Sequence, residues 1–315
     1  DNTTFSGARI YCEVIEYNQT EYTVNFTEDT ECDILIVGGG GSGGCGNSNS
    51  STAGPGGGAG GLIYLKDQKI EANTYEIKVG KGGDAINTNI RSNNGKNSSF
   101  SYLQTEAIGG GGGGSRNGDT SYSTTYQLIA TGRDGGSGGG SANNVNPQPT
   151  SGGLGYISDI VKYDGTILIS NYRQGYDGGR DYKPNVNNNQ DPPYSGGGGG
   201  AGGNGYNSYY APDESLDGDG GIGKEINITN TPTYYAGGGS VGLRSSIHSS
   251  GGKGGGGSSA NVNGINNTGG GGAGSTNGGG VYSGAGGSGI VIIRFSRYDT
   301  TPLQPNYGLY TVLPW

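Results

Sequence analysis

The run with the clearest potential for chemistry is Asp33–Val37 followed by the glycines of Gly38–Gly44. A strand and a G-x-G-x-x-G loop in that order can cradle a dinucleotide pyrophosphate, provided a helix N-terminus follows to receive its charge. Residues Cys45–Pro55 are rich in Asn, Ser and Thr, lack helical periodicity and contain no GK[ST] arrangement, so nucleotide binding is not expected. Asp213, Glu214, Asp217 and Asp219 stand together in PDESLDGDGG as carboxylates for a hard cation. That stretch lacks the spacing and terminal Glu of a calcium loop, and a solvated acidic loop is the expectation. His248 is the sole histidine and has no carboxylate neighbour in Ser245–Ser250, so no catalytic triad assembles around it locally. An enzyme is not expected, and no cofactor or metal is assigned.

Three cysteines, Cys12, Cys32 and Cys45, all fall near the N-terminus without a CxxC spacing, which gives a zinc site little support. Three cysteines allow three bridges. Cys12 and Cys32 each sit in a strand-like run, and adjacent strands would bring them within bridging distance, so that pair is expected. Cys45 is left in a glycine loop as a free thiol or an intermolecular partner. Seven Asn-x-Ser/Thr sequons occur, at Asn2, Asn18, Asn25, Asn49, Asn97, Asn227 and Asn266. Asn25 falls on the outward side of a strand pattern and Asn97 in the polar loop Asn93–Ser99, both places that tolerate a glycan. With no Met at its start and no n-region or h-region, the chain reads as a secreted, N-glycosylated protein after signal removal. No apolar run approaches a membrane span; the longest are Ile34–Val37 and Ile290–Ile293. The net charge of −8 excludes a basic nucleic-acid binder.

These residues need elements to hold them, and the composition makes that a puzzle. Glycine accounts for 74 of 315 residues, while Leu, Ile, Val and Phe together make up about one residue in six. Such a chain either stays disordered or finds cohesion outside apolar burial. Period-two alternation marks strands at Ile10–Val14 and Tyr22–Phe26, and Cys32–Val37 is a continuous apolar strand. Leu62–Leu65 and Tyr75–Val79 read as a hairpin, with further strands at Ile157–Val161, Thr166–Ser170 and Gly289–Phe295. Helical periodicity is nearly absent.

Between the strands lie nine glycine runs, among them Gly38–Gly41, Gly109–Gly114, Gly196–Gly203 and Gly269–Gly274. Nine flexible linkers would join too few folded pieces, so extended helices of the polyproline-II kind are expected instead. Such a helix makes no hydrogen bond to itself, and without side chains its neighbours can approach closely enough to bond backbone to backbone. The 23 tyrosines, many in loops such as Tyr172, Tyr176, Tyr206, Tyr234 and Tyr235, suit either the edges of glycine layers or adaptable binding surfaces. Residues 297–315 differ from the rest, with three prolines and the apolar Leu303, Leu309, Tyr310, Val312, Leu313 and Trp315. That tail folds back or docks on a neighbouring molecule; strand addition to another subunit's sheet edge is the expected use, with the intramolecular return as the alternative.

The segments ECDILIVGGGG (Glu31–Gly41), GGAGGLIY (Gly57–Tyr64), YEIKVGKGG (Tyr75–Gly83), EAIGGGGGG (Glu106–Gly114) and GGSGIVIIRF (Gly286–Phe295) together resemble the glycine-rich domain of secreted, cell-surface and tail-fibre proteins. The resemblance implies an extracellular structural or recognition role and transfers no catalytic residue. The expectation is therefore a mainly β fold in which antiparallel strands clamp a bundle of glycine-rich polyproline-II-like helices. Residues 1–296 form one domain with an N-terminal strand region at 5–37, and residues 297–315 form a docking arm. The expected function is that of a self-assembling protomer of an extracellular filament or surface appendage, its partners being copies of itself and N-linked glycans. The alternative is an adhesin that binds a surface glycan or receptor through Tyr/Asn/Gly loops.

Overall fold

The structure is a computed structural model, described over residues 7–17, 22–46, 53–88, 90–116, 128–142, 150–181, 195–207, 218–242, 249–259, 262–275, 282–299 and 310–312. It is mainly β, with only a helical turn at 128–130 among these residues. Among them, no helix is long and apolar enough to cross a membrane. Among the described residues there are twelve strands: β1 (Gly7–Glu16), β2 (Tyr22–Phe26), β3 (Thr30–Val37), β4 (Leu62–Ile70), β5 (Asn73–Lys78), β6 (Ser99–Phe100), β7 (Ile157–Val161), β8 (Ile167–Arg173), β9 (Lys224–Ile226), β10 (Thr233–Tyr235), β11 (Ile290–Asp299) and β12 (Tyr310–Val312). The largest sheet has the order β12-β1-β11-β3-β4, and the described pairings of named strands are all antiparallel.

The continuous apolar runs of β3 and β11 follow from burial on both faces. Ile34 and Ile36 of β3 join Val291 and Ile293 of β11 in one core cluster, which packs on Val24, Phe26, Tyr75, Ile77 and Phe100 of the sheet β2-β5-β6. Leu35, Val37, Ile290 and Ile292 face the other way, onto Ala59, Ala201, Ile226 and Tyr235. A strand buried on one side alternates, as β2 does, whereas these two cannot. Edge-on aromatic contacts, Phe26–Tyr75 at 5.9 Å and Tyr75–Phe100 at 5.5 Å, lock the first cluster.

Two expectations about pairing are corrected. The strands at Leu62 and Tyr75 are not partners: β4 pairs with β3, whose apolar register it matches from Val37↔Leu62 onward, while β5 pairs with β2 and β6. The bridge between Cys12 and Cys32 is not made, and Cys32 is a free, buried thiol. Strand β11 runs between them, with Cys12 opposite Arg294 on one side and Cys32 opposite Phe295 on the other. Two inter-strand spacings, roughly 10 Å, separate the backbones, beyond the Cα span of a disulfide.

The glycine runs begin where the large sheet ends. Val37 leads into 38–44, residues 53–61 lead into Leu62, and 282–289 lead into Ile290, all at one end of the sheet. From there the backbone hydrogen bonds take up a period of three. Gly38, Gly41 and Gly44 donate to Gly61, Gly58 and Pro55; Gly39 and Ser42 donate to Lys96 and Asn93; Gly40 and Gly43 donate to Gly287 and Gly284. Segment 54–61 is surrounded completely. Gly54, Gly57 and Gly60 donate to Ser275, Gly272 and Gly269, Gly58 and Gly61 to Gly111 and Ile108, and Gly56 and Ala59 to Gly196 and Gly199. Its carbonyls accept from three further segments, at Gly38–Gly44, Ser137–Gly140 and Gly239–Gly242. Three donor directions and three acceptor directions make six neighbours, the coordination of a hexagonal array.

Glycine is required here for closeness and not for its dihedral freedom. Among the described glycines only Gly165, Gly218, Gly254, Gly255 and Gly269 have positive φ, and just one of them, Gly269, contributes to the ladders just described. A Cβ added to Gly57 would overlap the carbonyl oxygen of Gly41, and one added to Gly40 would overlap that of Gly270. By contrast, a Cβ at Gly203 meets only Cγ2 of Ile222, at 3.3 Å. We expect Gly57→Ala to cost about 3 kcal/mol, the upper end for overpacked cores, and Gly203→Ala to stay within about 0.5 kcal/mol of wild type. Urea unfolding monitored by circular dichroism measures both.

Candidate functional site

The glycine loop that resembles a phosphate cradle has no donors to offer. Each backbone N–H from Gly38 to Gly44 is already bonded to a carbonyl of a neighbouring segment, at 2.8–3.0 Å. A pyrophosphate would have to displace those bonds, and no helix follows to supply others. Asp219 is the one member of the acidic stretch within the described residues. Its Oδ1 accepts the Ser250 N–H at 2.6 Å, while burial raises its pKa. Asp213, Glu214, Asp217 and His248 lie outside the described residues.

The asparagines have a role that residue-type reasoning missed. At three places on the rim of the bundle, two Asn residues three apart offer their Oδ1 atoms to backbone N–H groups three apart. Asn97 and Asn94 accept from Gly109 and Gly112 at 2.9 and 3.0 Å. Asn204 and Asn207 accept from Asp177 and Arg180 at 3.2 and 2.7 Å, and Asn263 and Asn266 from Ala285 and Ser288 at 3.0 and 3.2 Å. Each pair occupies the place of a missing glycine segment, since a side-chain amide carbonyl is chemically a backbone carbonyl. The Asn-x-x-Asn spacing in the sequence was the available signal.

This bears on the sequons. Asn25, Asn97, Asn227 and Asn266 are all exposed, and Asn25 lies on the outward side of β2. Asn97 belongs to segment 92–97 of the bundle and is held at both ends, its Nδ2 donating to Glu106 at 2.6 Å. Asn2, Asn18 and Asn49 lie outside the described residues.

Of the tail residues, Tyr310 and Val312 fall in β12, which lies antiparallel on the outer edge of β1 with Tyr11↔Val312, Cys12↔Thr311 and Glu13↔Tyr310. Leu303, Leu309, Leu313 and Trp315 lie outside the described residues. The opposite edge of the sheet is covered, because the Tyr172 hydroxyl accepts the Tyr64 N–H of β4 at 3.1 Å. Tyrosines thus divide: Tyr172 caps an edge and Tyr235 is buried, while Tyr206 is 44 % exposed.

Electrostatics are concentrated where hairpin β7–β8 meets the turn after β4. The Lys162 Nζ lies 2.5 Å from the Glu71 carboxylate and over the rings of Tyr102 and Tyr163, at 5.5 and 5.1 Å. Hydrogen bonding lowers the pKa of Glu71 and raises that of Lys162. The pair's contribution is present from above the unfolded carboxylate range to below the unfolded ammonium range, and is lost beyond either limit. It pins the hairpin to the turn after β4 through Oε1 of Glu71, while Oε2 is buried with no hydrogen-bond partner among the described residues.

Both buried thiols are quiet. Burial, reinforced by Asp33 and Glu31, pushes Cys32 up to about 12, and burial pushes Cys45 up to about 11. The Cys45 Sγ donates to the Ile86 carbonyl at 3.4 Å.

A sequence-family model described as a glycine-rich domain matches residues 17–296. No curated protein matches the chain.

Two outcomes are expected. Asn97→Ala leaves the Gly109 N–H unpaired and costs about 1–3 kcal/mol, measured by urea unfolding, whereas Asn25→Ala stays within about 0.5 kcal/mol. Cys32 and Cys45 stay unmodified by a charged thiol reagent at pH 8 in the native protein and react once it is unfolded, as read by peptide mass mapping.

Proposed function

The chain belongs to the glycine-rich domain family, and from that premise we propose that it is a non-catalytic structural protomer of a secreted, N-glycosylated filament or surface appendage. Its glycine-rich spans serve as a bundle of polyproline-II-type helices; the period of three in their hydrogen bonds is the spacing of three residues per turn. Such a body suits a rigid building block, because it is cross-linked in several directions by backbone bonds that no side-chain chemistry has to maintain.

The observation that carries the assembly reading is the edge of β1. Strand β12 covers three of the ten residues of β1, so the C-terminal segment is already a strand added to a sheet edge. The same three pairs can be made with β1 of another copy, and an exchange passed from copy to copy is a head-to-tail contact that does not close on itself. The exposed sequons Asn25 and Asn227 suit glycans on the outside of such an assembly.

Register makes the test specific. Thr311 stands directly opposite Cys12, and opposed residues on antiparallel strands come within disulfide range. A Thr311→Cys variant, gently oxidised in its native assembly and run on a non-reducing gel, is expected to give a ladder of covalent multimers. A cross-linked species that remains a monomer at all protein concentrations would show that the tail returns to its own sheet, and the filament reading would fall.

A further inference from the structure

We propose that the cleft lined by the hydrogen-bonded segments 177–180 and 203–207 is a binding site for a neutral oligosaccharide of at least two sugar units. The cleft is open to solvent, has a volume of about 570 Å³, and includes Asp177, Arg180, Asn204, Tyr206, Asn207 and Ile222 in its lining. Its asparagines are those that stand in for a missing glycine segment, and that role fixes them. With Oδ1 of Asn204 and Asn207 committed to the backbone N–H groups of Asp177 and Arg180, each Nδ2 keeps its two hydrogens without a partner among the described residues. Each amide is therefore an oriented donor that has already lost its rotational freedom, which lowers the entropic cost of binding.

The remaining groups complete a recognisable chemistry. Asp177 spends its Oδ1 on the Gly155 N–H at 2.8 Å, leaving the second carboxylate oxygen as an acceptor. Arg180 is exposed and adds planar donors. Tyr206 and Ile222, 44 % and 41 % exposed, are apolar surfaces beside these polar groups. A flat ring and an aliphatic side chain flanked by fixed donors and one acceptor match a sugar, which presents C–H faces and a rim of hydroxyls that both donate and accept. One Arg and one Asp balance in charge, which favours a neutral saccharide over a sulfated or uronate-bearing one. The two amides are three residues apart, about 9 Å along an extended helix of 3.1 Å rise. That interval is comparable to the length of a disaccharide, so the donors address successive sugar units. The proposal does not depend on filament assembly.

Calorimetric titration of the full chain with cellotetraose and with chitotetraose tests it. Saturable binding of at least one is expected, weakened at least tenfold by Tyr206→Ala. Gly203 offers a second variant, because it lines the cleft and a Cβ built there meets only Cγ2 of Ile222, at 3.3 Å. Gly203→Phe is expected to abolish binding while leaving the melting curve unchanged. Absence of saturable binding to both probes would overturn the proposal. So would equal binding by wild type and both variants, or binding confined to a sulfated heparin tetrasaccharide.

Discussion

The molecule depends on hydrogen bonds between backbone groups that approach each other across glycine. Ordinary domains separate their chains with side chains and let apolar contact hold the interior together. Here segment 54–61 touches six other segments through N–H and C=O groups, at donor–acceptor distances of 2.7–3.1 Å. Each such bond contributes modestly on its own, about 1 kcal/mol net. The interior tolerates no gaps in the network, since an unpaired buried N–H or C=O costs more than a bond gains. The excess of glycine is then a steric condition. A methyl group at most of these positions would stand where a neighbour's carbonyl oxygen already is.

The sheet and the rim solve the two boundary problems of such an array. At one end, β3, β4 and β11 run directly into glycine segments, so strand register sets bundle register: Val37↔Leu62 in the sheet is followed by the Gly38 N–H bond to Gly61. At the sides, where a rim segment has no further neighbour, Asn94, Asn97, Asn263 and Asn266 supply the missing carbonyls. Ser98 does related work at the junction, donating to the Val37 carbonyl at 2.7 Å and accepting the Gly80 N–H at 2.9 Å. Polar side chains that composition alone assigns to loops are parts of the lattice.

Much of this was legible before the structure. The apolar runs Cys32–Val37 and Gly289–Phe295 declared themselves as strands because burial on both faces leaves no alternation to blur. Which strands pair was not legible. The stretch Leu62–Leu65 looked like a partner for Tyr75–Val79 because the two are close in sequence, yet β4 is recruited by the apolar edge of β3. The cysteine pairing failed for the same reason, since β11 arrives from the far end of the chain to lie between β1 and β3. Short strands such as β9 and β10 carry three residues each, too few for any period to show. The cleft beside Tyr206 was visible only as a Tyr- and Asn-rich loop, because its asparagines are oriented by bonds to a segment some 27 residues away.

The six-fold surrounding of segment 54–61 also constrains how the chain reaches its native state. Its donors are answered by residues as distant as Ser275, and its acceptors are used by residues from Gly38 to Gly242. Nearly every stabilising contact of the bundle is therefore non-local, and loop-closure entropy must be overcome before any of them forms. A glycine segment has no stable intermediate of its own, because a polyproline-II-type helix has no internal bonds. The large sheet, whose β3 and β4 are neighbours in sequence, is the natural nucleus on which the segments are then laid down. Unlacing runs into the same obstacle from the other side: no segment can leave singly without exposing several neighbours at once. A body built this way folds slowly and, once folded, persists by the height of its unfolding barrier.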